Sequence, residues 1–180
     1  MGNTPATDRA FGETVFHAPG EGAAFSLGTI PTVLKTSSRH TDGAYVMHEQ
    51  DVAARVLIAP HTHTREDHVA YVLEGELGFL VGTEEFVAPT GSCIFRPRGL
   101  AHAVWNPTGA PARMLEITSP GSSLERFFDE FGEMSAQGTV QMADVHALGG
   151  GYGITYQTEL VPYLQKKYGV GTDGGWWGTK

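Results

Sequence analysis

The feature that most limits the fold is a series of short β-prone segments between about Thr14 and Ser119. Each segment is rich in Val, Ile, Phe and Tyr and is bounded by Gly, Pro or Asp. Short strands at regular spacing favour a sandwich or a barrel over a parallel sheet with crossover helices. The predicted strands are Thr29–Lys35, Gly43–His48, Ala53–Ala59, His68–Leu73, Glu76–Val81, Glu85–Ala88, Ser92–Arg96, Ala101–Trp105 and Ala112–Thr118.

Length and charge narrow the class of protein. The 180 residues suit one domain, or one domain with a small appendage. Glycine accounts for 24 residues, roughly twice the usual ~7% share, which fits a fold with many tight turns. The net charge is −8 and Lys and Arg never cluster, so neither nucleic acid nor a membrane surface is expected as a partner.

Cys93 is the only cysteine, which excludes an intrachain disulfide. The first ten residues lack the apolar region of a signal peptide, so we expect a cytoplasmic protein. Cys93 lies in an apolar segment with no cationic neighbour in sequence. This setting favours a small buried residue over a reactive thiol.

A different pattern begins after Pro120-Gly121. Ser122 and Glu125 form an S-x-x-E capping box. An apolar stripe with helical spacing follows, which predicts a helix that ends near Gly132 and covers the barrel. The stripe consists of Leu124, Phe127, Phe128 and Phe131.

The rest of the C-terminal segment carries weaker signals. A second helix is predicted over Thr158–Tyr168, provided that Pro162 lies in its first turn. Gly149–Gly153 is interpreted as a flexible connector. The Gly-rich tail contains Trp176 and Trp177, which could dock on the body or on a second subunit, or could be loose.

Several histidines lie close together in the sequence, at a spacing that could bind a metal ion. In an extended segment His61 and His63 point to the same face, so that two imidazoles could share a metal ion. An isolated pair would more simply be a polar surface pair. This pair, however, is followed by His68 and then by Gly75 at ordered intervals.

A second ordered stretch begins at Gly91 and continues through Pro97, Gly99, His102 and Asn106. Together the two stretches resemble the paired motifs of the cupin superfamily. The second motif matches at every fixed position. The first matches except at its acidic position, which His68 occupies. The sequence around the motifs is similar to that of small single-domain cupins related to quercetin 2,3-dioxygenase.

The resemblance implies an all-β jelly-roll barrel with C-terminal helices packed on it. The barrel and its N-terminal strands would occupy residues 1–120, with a motif core at 45–120. Residues 121–180 would form the helical extension and the tail. Single-domain cupins commonly pair, so the resemblance also implies a homodimer.

The resemblance further implies one divalent transition metal held by His61, His63 and His102. The candidate metals are iron, nickel, zinc, copper and manganese, and imidazole is a good ligand for the first four. His68 could be a fourth imidazole ligand. Alternatively, Glu66 or water could take its place.

The function implied is a metal-dependent dioxygenase of a small phenolic, enol or diketone substrate. The alternatives are a non-catalytic metal- or small-molecule-binding protein and a metal-dependent isomerase or lyase. Strand parity predicts that Val72 and Val104 line the cavity. Phe127 and Phe131 could cover it as a lid or simply close the core. No catalytic residue is assigned, and the missing carboxylate puts quercetinase activity itself in doubt.

Overall fold

The fold is taken from a computed structural model that describes residues 11–136 and 140–171. Trp176 and Trp177 lie outside the described residues, so neither interpretation of them is tested. No helix in the described ranges is long and apolar enough to cross a membrane.

Eleven strands and three α-helices make up the described chain. The strands are β1 (Ala23–Leu27), β2 (Ile30–Thr36), β3 (Val46–Val52), β4 (Leu57–His63), β5 (Asp67–Glu74), β6 (Glu76–Val81), β7 (Glu84–Pro89), β8 (Cys93–Arg96), β9 (His102–Trp105), β10 (Ala112–Ser119) and β11 (Ile154–Tyr156). The helices are α1 (Ser122–Ala136), α2 (Met142–Gly151) and α3 (Val161–Tyr168).

The strands form two antiparallel sheets. The six-stranded sheet has the order β1-β2-β3-β10-β5-β8, and the five-stranded sheet has the order β11-β4-β9-β6-β7. Neighbours such as β3 and β10 are far apart in sequence, as expected for a jelly roll. The predicted all-β jelly roll with C-terminal helices is therefore confirmed.

Every predicted strand is present, but several begin later than predicted. The segment Gly43–His48 corresponds to β3, and Ala53–Ala59 corresponds to β4. Two strands, β1 and β11, were not predicted. The short β11 comes from the C-terminal segment and pairs with β4 at the edge of the five-stranded sheet.

Strand parity corrects the expectation for Cys93, which is exposed rather than buried. In β8 the side chains of Ile94 and Arg96 are buried, whereas Cys93 and Phe95 are exposed on the opposite face. The sequence of this edge strand reads as an apolar run, although its side chains alternate between the buried and the exposed face of the sheet.

Helix α1 forms at the predicted place, yet its capping box is absent. The carboxylate of Glu125 accepts hydrogen bonds from the Ser37 hydroxyl (2.5 Å) and the Ser38 amide (2.6 Å). It therefore ties α1 to the loop after β2 instead of capping its own helix. The helix also continues to Ala136 rather than ending near Gly132.

The glycines at 149–151 are helical, which corrects the interpretation of Gly149–Gly153 as a flexible connector. They form the last turn of α2, and Gly149 is buried against Tyr156 and Ile154. The second predicted helix is present as a short 3-10 helix, Thr158–Leu160, followed by α3. Pro162 lies in the first turn of α3, as predicted.

Both faces of the five-stranded sheet are covered. Its inner face joins the barrel core, in which Val72, Leu77 and Phe79 are fully buried. Its outer face packs against α3, where the Trp105 ring stacks on Tyr168 at a centroid distance of 4.3 Å.

Replacement of Gly78 by alanine should destabilise the fold. Gly78 pairs with Trp105 across β6 and β9, and an added Cβ would lie 2.0 Å from the indole Cε2. Overpacking of this kind costs about 1–3 kcal/mol of the free energy of unfolding. Urea denaturation would measure the loss. Gly109→Ala is the matched control, because nothing lies within 4 Å of its added Cβ.

Candidate metal centre

A β-bulge in β4 brings the two histidines of the first motif to the inside of the barrel. Ile58 pairs with Val104 and His61 pairs with His102, so three steps along β4 oppose two steps along β9. The extra residue lets Ile58 and His61 both face inward. Pro60 lies within the bulge, where its missing N–H does not interrupt the ladder.

Three histidines converge at this point. One ring nitrogen from each of His61, His63 and His102 lies within 4.8 Å of the corresponding nitrogens of the other two. The ring centroid of His68 lies 4.3 Å from that of His63 and 5.2 Å from that of His102. His68 is not a member of the three-nitrogen group but lies directly beside it.

The Nδ1 atoms of the first-motif histidines are bound to oxygen. His61 Nδ1 donates to the Ala59 carbonyl at 2.7 Å. His63 Nδ1 donates to the Glu66 carboxylate at 3.1 Å, and both side chains are buried. Because carbonyl and carboxylate oxygens only accept, the hydrogen lies on Nδ1 and each Nε2 keeps its lone pair.

Glu66 therefore orients a histidine in this structure. The idea that it could be a ligand in place of His68 is not supported, because its Oε2 faces the ring of His63. Metal-binding histidines ordinarily make such a bond with their second nitrogen, and it fixes the tautomer.

His68 has the same kind of partner. Its Nδ1 donates to Glu116 Oε1 at 2.8 Å and also lies 3.1 Å from the Thr118 hydroxyl. The buried guanidinium of Arg96 donates to the same carboxylate oxygen.

Burial keeps His61, His68 and His102 neutral. Burial, together with the neighbouring His63, lowers the pKa of His61 to about 3. Burial also lowers the pKa of His68 and of His102 well below the usual 6.5. A neutral imidazole offers the lone pair that a metal ion requires.

The donor set fits a transition metal. Among the described residues, His68 Nε2 and both ring nitrogens of His102 are buried without a hydrogen-bond partner. Leaving buried polar atoms unpaired is costly, and a bound cation would satisfy the lone pair of His68 Nε2 and that of one His102 nitrogen. Imidazole nitrogens suit zinc, copper, iron and nickel.

Comparison with known proteins agrees with this geometry. The family described as "Cupin domain" matches residues 48–118, which include all four of these histidines. The chain contains a cupin domain. Its curated relatives include germin-like protein subfamily 2 member 2 of Arabidopsis thaliana, which is 41% identical over 70 residues. That match covers 36% of this chain and about a third (32%) of the relative's length.

Solved structures with the same fold support the assignment. KdgF from Halomonas sp. has a TM-score of 0.54 and 16% identity, covering 60% of this cupin chain and 94% of its own. A predicted oxalate decarboxylase from Thermotoga maritima has a TM-score of 0.53 and 16% identity, covering 59% and 98%. At this level of identity the likeness concerns the fold alone.

A turn in the second cupin motif is hydrogen-bonded to the first motif. Gly99 adopts a φ of 82°, and its amide donates to the His63 carbonyl at 2.7 Å. Asn106 donates to the carbonyls of Val52 and Ala110 and accepts from Thr108. Asn106 therefore has a structural role in this part of the barrel.

A cavity of about 130 Å³ opens beside the histidines. Its walls combine aliphatic and aromatic side chains from both sheets and from α1. Of the predicted pocket residues, Val104 and Phe127 line it. Leu124, Phe128 and Tyr156 add to the same walls.

Val72 and Phe131 do not line this cavity, which corrects the prediction. Val72 faces inward as expected, but it lies four residues beyond His68, about 13 Å further along β5 at ~3.3 Å per residue. It is buried in the barrel core. Phe131 lies one helical turn beyond Phe127, on which its ring stacks at 6.2 Å.

Sequence reasoning missed the polar residues of the six-stranded sheet. Arg96, Glu116 and Gln50 are buried and line the cavity. His48 also lines it, and its ring meets Phe128 edge-on at 5.5 Å. One signal in the sequence could have found them. In a strand that alternates apolar and polar residues, a polar residue at a position expected to face the core marks a functional site.

The metal-free protein should lose stability as the pH falls. Burial lowers the pKa of His48 from 6.5 to about 4, although Glu116 opposes this shift and Arg96 reinforces it. Between these values the unfolded chain binds the proton and the folded chain does not. Stability therefore rises with pH across this window, by up to about 1.4 kcal/mol per pH unit for each such histidine.

Urea denaturation of the chelator-treated protein at several pH values would test this. His48→Gln should give a shallower dependence between about pH 4 and 6.5. An unchanged slope would contradict the assignment. His146→Gln is the control for replacement of a histidine that is exposed and outside the cavity.

Proposed function

We propose that this cupin is a metal-dependent dioxygenase acting on a small phenolic, enol or diketone substrate. The observation that carries the proposal is a cluster of three histidines, two of them buried, beside a cavity with aromatic walls. Iron, nickel, zinc, copper and manganese are the candidate metals, held by His61, His63 and His102 with His68 beside them.

The charge of the site favours an anionic chelator. His61, His68 and His102 are neutral at pH 7 because burial lowers their pKa values. Neutral imidazole ligands remove no charge from a divalent ion directly, whereas a ligating carboxylate would remove one unit. An ionised phenol or enol supplies that negative charge through oxygen, and its second oxygen completes a chelate.

The cavity walls suit a planar substrate. Phe127 and Phe128 come from α1, and Tyr156 lies 6.1 Å from His61 between ring centroids. His48, whose ring meets Phe128 edge-on, and Gln50 also line the cavity and can hydrogen-bond a substrate oxygen. These walls would exclude water and hold the substrate ring beside the histidines. A metal bound there would supply Lewis acidity and, for a redox-active ion, one-electron chemistry with O₂.

An oxygen electrode provides the test. Protein purified without chelator is first assayed for its metal content. Apoprotein is then loaded separately with Fe, Ni, Cu or Mn and offered a catechol, a flavonol and a diketone. We expect O₂ uptake with at least one pair of metal and substrate. His102→Ala, treated identically, is the control for free metal chemistry.

The outcomes separate the proposed classes. Substrate loss without O₂ uptake would replace the dioxygenase by a metal-dependent isomerase or lyase. Tight substrate binding without turnover would favour a non-catalytic binding protein.

The homodimer and the cytoplasmic location stay predictions. Light scattering at micromolar concentration tests the first, since a species of about 19.3 kDa would be a monomer.

A further inference from the structure

We propose that Glu116 is a positioning residue that presents His68 to the metal as a fourth nitrogen ligand. The proposal rests on the metal-binding part of the proposed function and does not depend on which reaction follows. It assigns a role to a carboxylate that lies outside both cupin motifs in sequence.

The hydrogen bond sets the tautomer of His68. Glu116 Oε1 lies 2.8 Å from His68 Nδ1, and both side chains are buried. A carboxylate can only accept, so the hydrogen is on Nδ1 and the lone pair is on Nε2. His68 Nε2 is buried and has no hydrogen-bond partner among the described residues.

His68 thus shares its arrangement with the first-motif histidines. Nδ1 of His61 is bound to the Ala59 carbonyl, and Nδ1 of His63 is bound to Glu66. In all three residues an oxygen acceptor holds Nδ1 and leaves Nε2 as the donor atom. A histidine kept only for packing would have no need of the same arrangement beside the same cluster.

The fold fixes the position of Glu116. On β10 it lies between His48 of β3 and Ala70 of β5, on the inner face of the sheet. Thr118, two residues further, pairs with His68. The carboxylate therefore reaches the imidazole from the neighbouring strand.

Arg96 anchors the carboxylate from the other side. Arg96 pairs with His68 across β5 and β8, and its guanidinium donates to the Oε1 atom that accepts from His68. This buried ion pair holds Glu116 in place and compensates its charge. The site thus has a carboxylate, but this carboxylate contacts His68 rather than the metal position itself.

Copper(II) binding to four proteins tests the proposal. These are the wild type, His68→Ala, Glu116→Gln and the double variant. Glutamine keeps the shape of Glu116 and an acceptor oxygen but binds Nδ1–H more weakly. Calorimetric titration measures the affinity, and nitrogen superhyperfine splitting in the copper EPR spectrum reports the number of imidazole ligands. Circular dichroism checks the fold of each variant.

Two controls accompany these variants. Glu74→Gln removes a carboxylate that is paired with Arg113 on the outer face of the same sheet, so it should leave copper affinity unchanged. If Glu116→Gln fails to fold, Glu116→Asp serves instead. Aspartate keeps the charge beside Arg96 while withdrawing the oxygen from His68.

We expect Glu116→Gln to lower copper affinity about 10- to 100-fold, the usual cost of losing such a supporting carboxylate. His68→Ala should reduce the number of coupled nitrogens. In the His68→Ala background Glu116→Gln should have no further effect on affinity, because Glu116 acts through His68.

Three results would overturn the proposal: an unchanged nitrogen pattern in His68→Ala, an unchanged affinity in Glu116→Gln, or an equal loss from Glu116→Gln in both backgrounds. The last would indicate a merely structural role. Failure of the wild type itself to bind copper would overturn the metal site as well, so the two failures are distinguishable.

Discussion

Replacement of His102 by alanine should reduce the bound metal to a small fraction of one equivalent. His102 is the only member of the three-nitrogen group that comes from the second motif, and its ring lies 4.5 Å from that of His61 between centroids. Its removal leaves only His61 and His63 of the three-nitrogen group, both from β4. His61→Ala should have a similar effect. Elemental analysis of protein purified without chelator would measure both.

His48→Gln is the matched control for this experiment. His48 is an equally buried imidazole that lines the same cavity from the opposite sheet. It lies outside the three-nitrogen group, so this variant should keep its metal. Full stoichiometric metal in both His61→Ala and His102→Ala would disprove the assignment.

The histidine cluster could be predicted because its members belong to two short motifs whose turns are visible in sequence. The residues that complete the site could not be predicted in the same way. Glu116 is 48 residues from His68, and the two meet only through the register of β10 on β5. Register between distant strands depends on the whole sheet, and no local pattern records it.

The alternation of side chains along a strand predicts which face each residue occupies. It does not predict how far along the strand a residue lies from the cavity. Val104 lies on β9 near His102 and lines the cavity, whereas Val72 has the correct parity but lies too far along β5. The bulge in β4 shows a second limit. Ile58 and His61 share a face although they are three positions apart, an odd offset that would place them on opposite faces of a regular strand.

Helix α1 combines two roles, and substitution of its phenylalanines should separate them. Phe131 is 1% exposed and packs away from the cavity, so Phe131→Ala should lower the free energy of unfolding by about 3–5 kcal/mol. Metal content and substrate-site binding should stay near wild type. Urea denaturation measures the stability. The exposed Phe16 provides the control, because Phe16→Ala removes a ring that is 80% exposed and should cost little.

Phe127→Ala should instead alter the binding site. Phe127 contacts Phe131 on one side and lines the cavity on the other, so its loss also destabilises the fold but enlarges the space beside the histidines. Nickel-loaded protein should then bind the chromophoric chelator 4-nitrocatechol with altered affinity. Equal effects of the two variants on chelator affinity would show that α1 closes the core alone. A selective effect of Phe127→Ala would identify its first two turns as the wall over the metal centre.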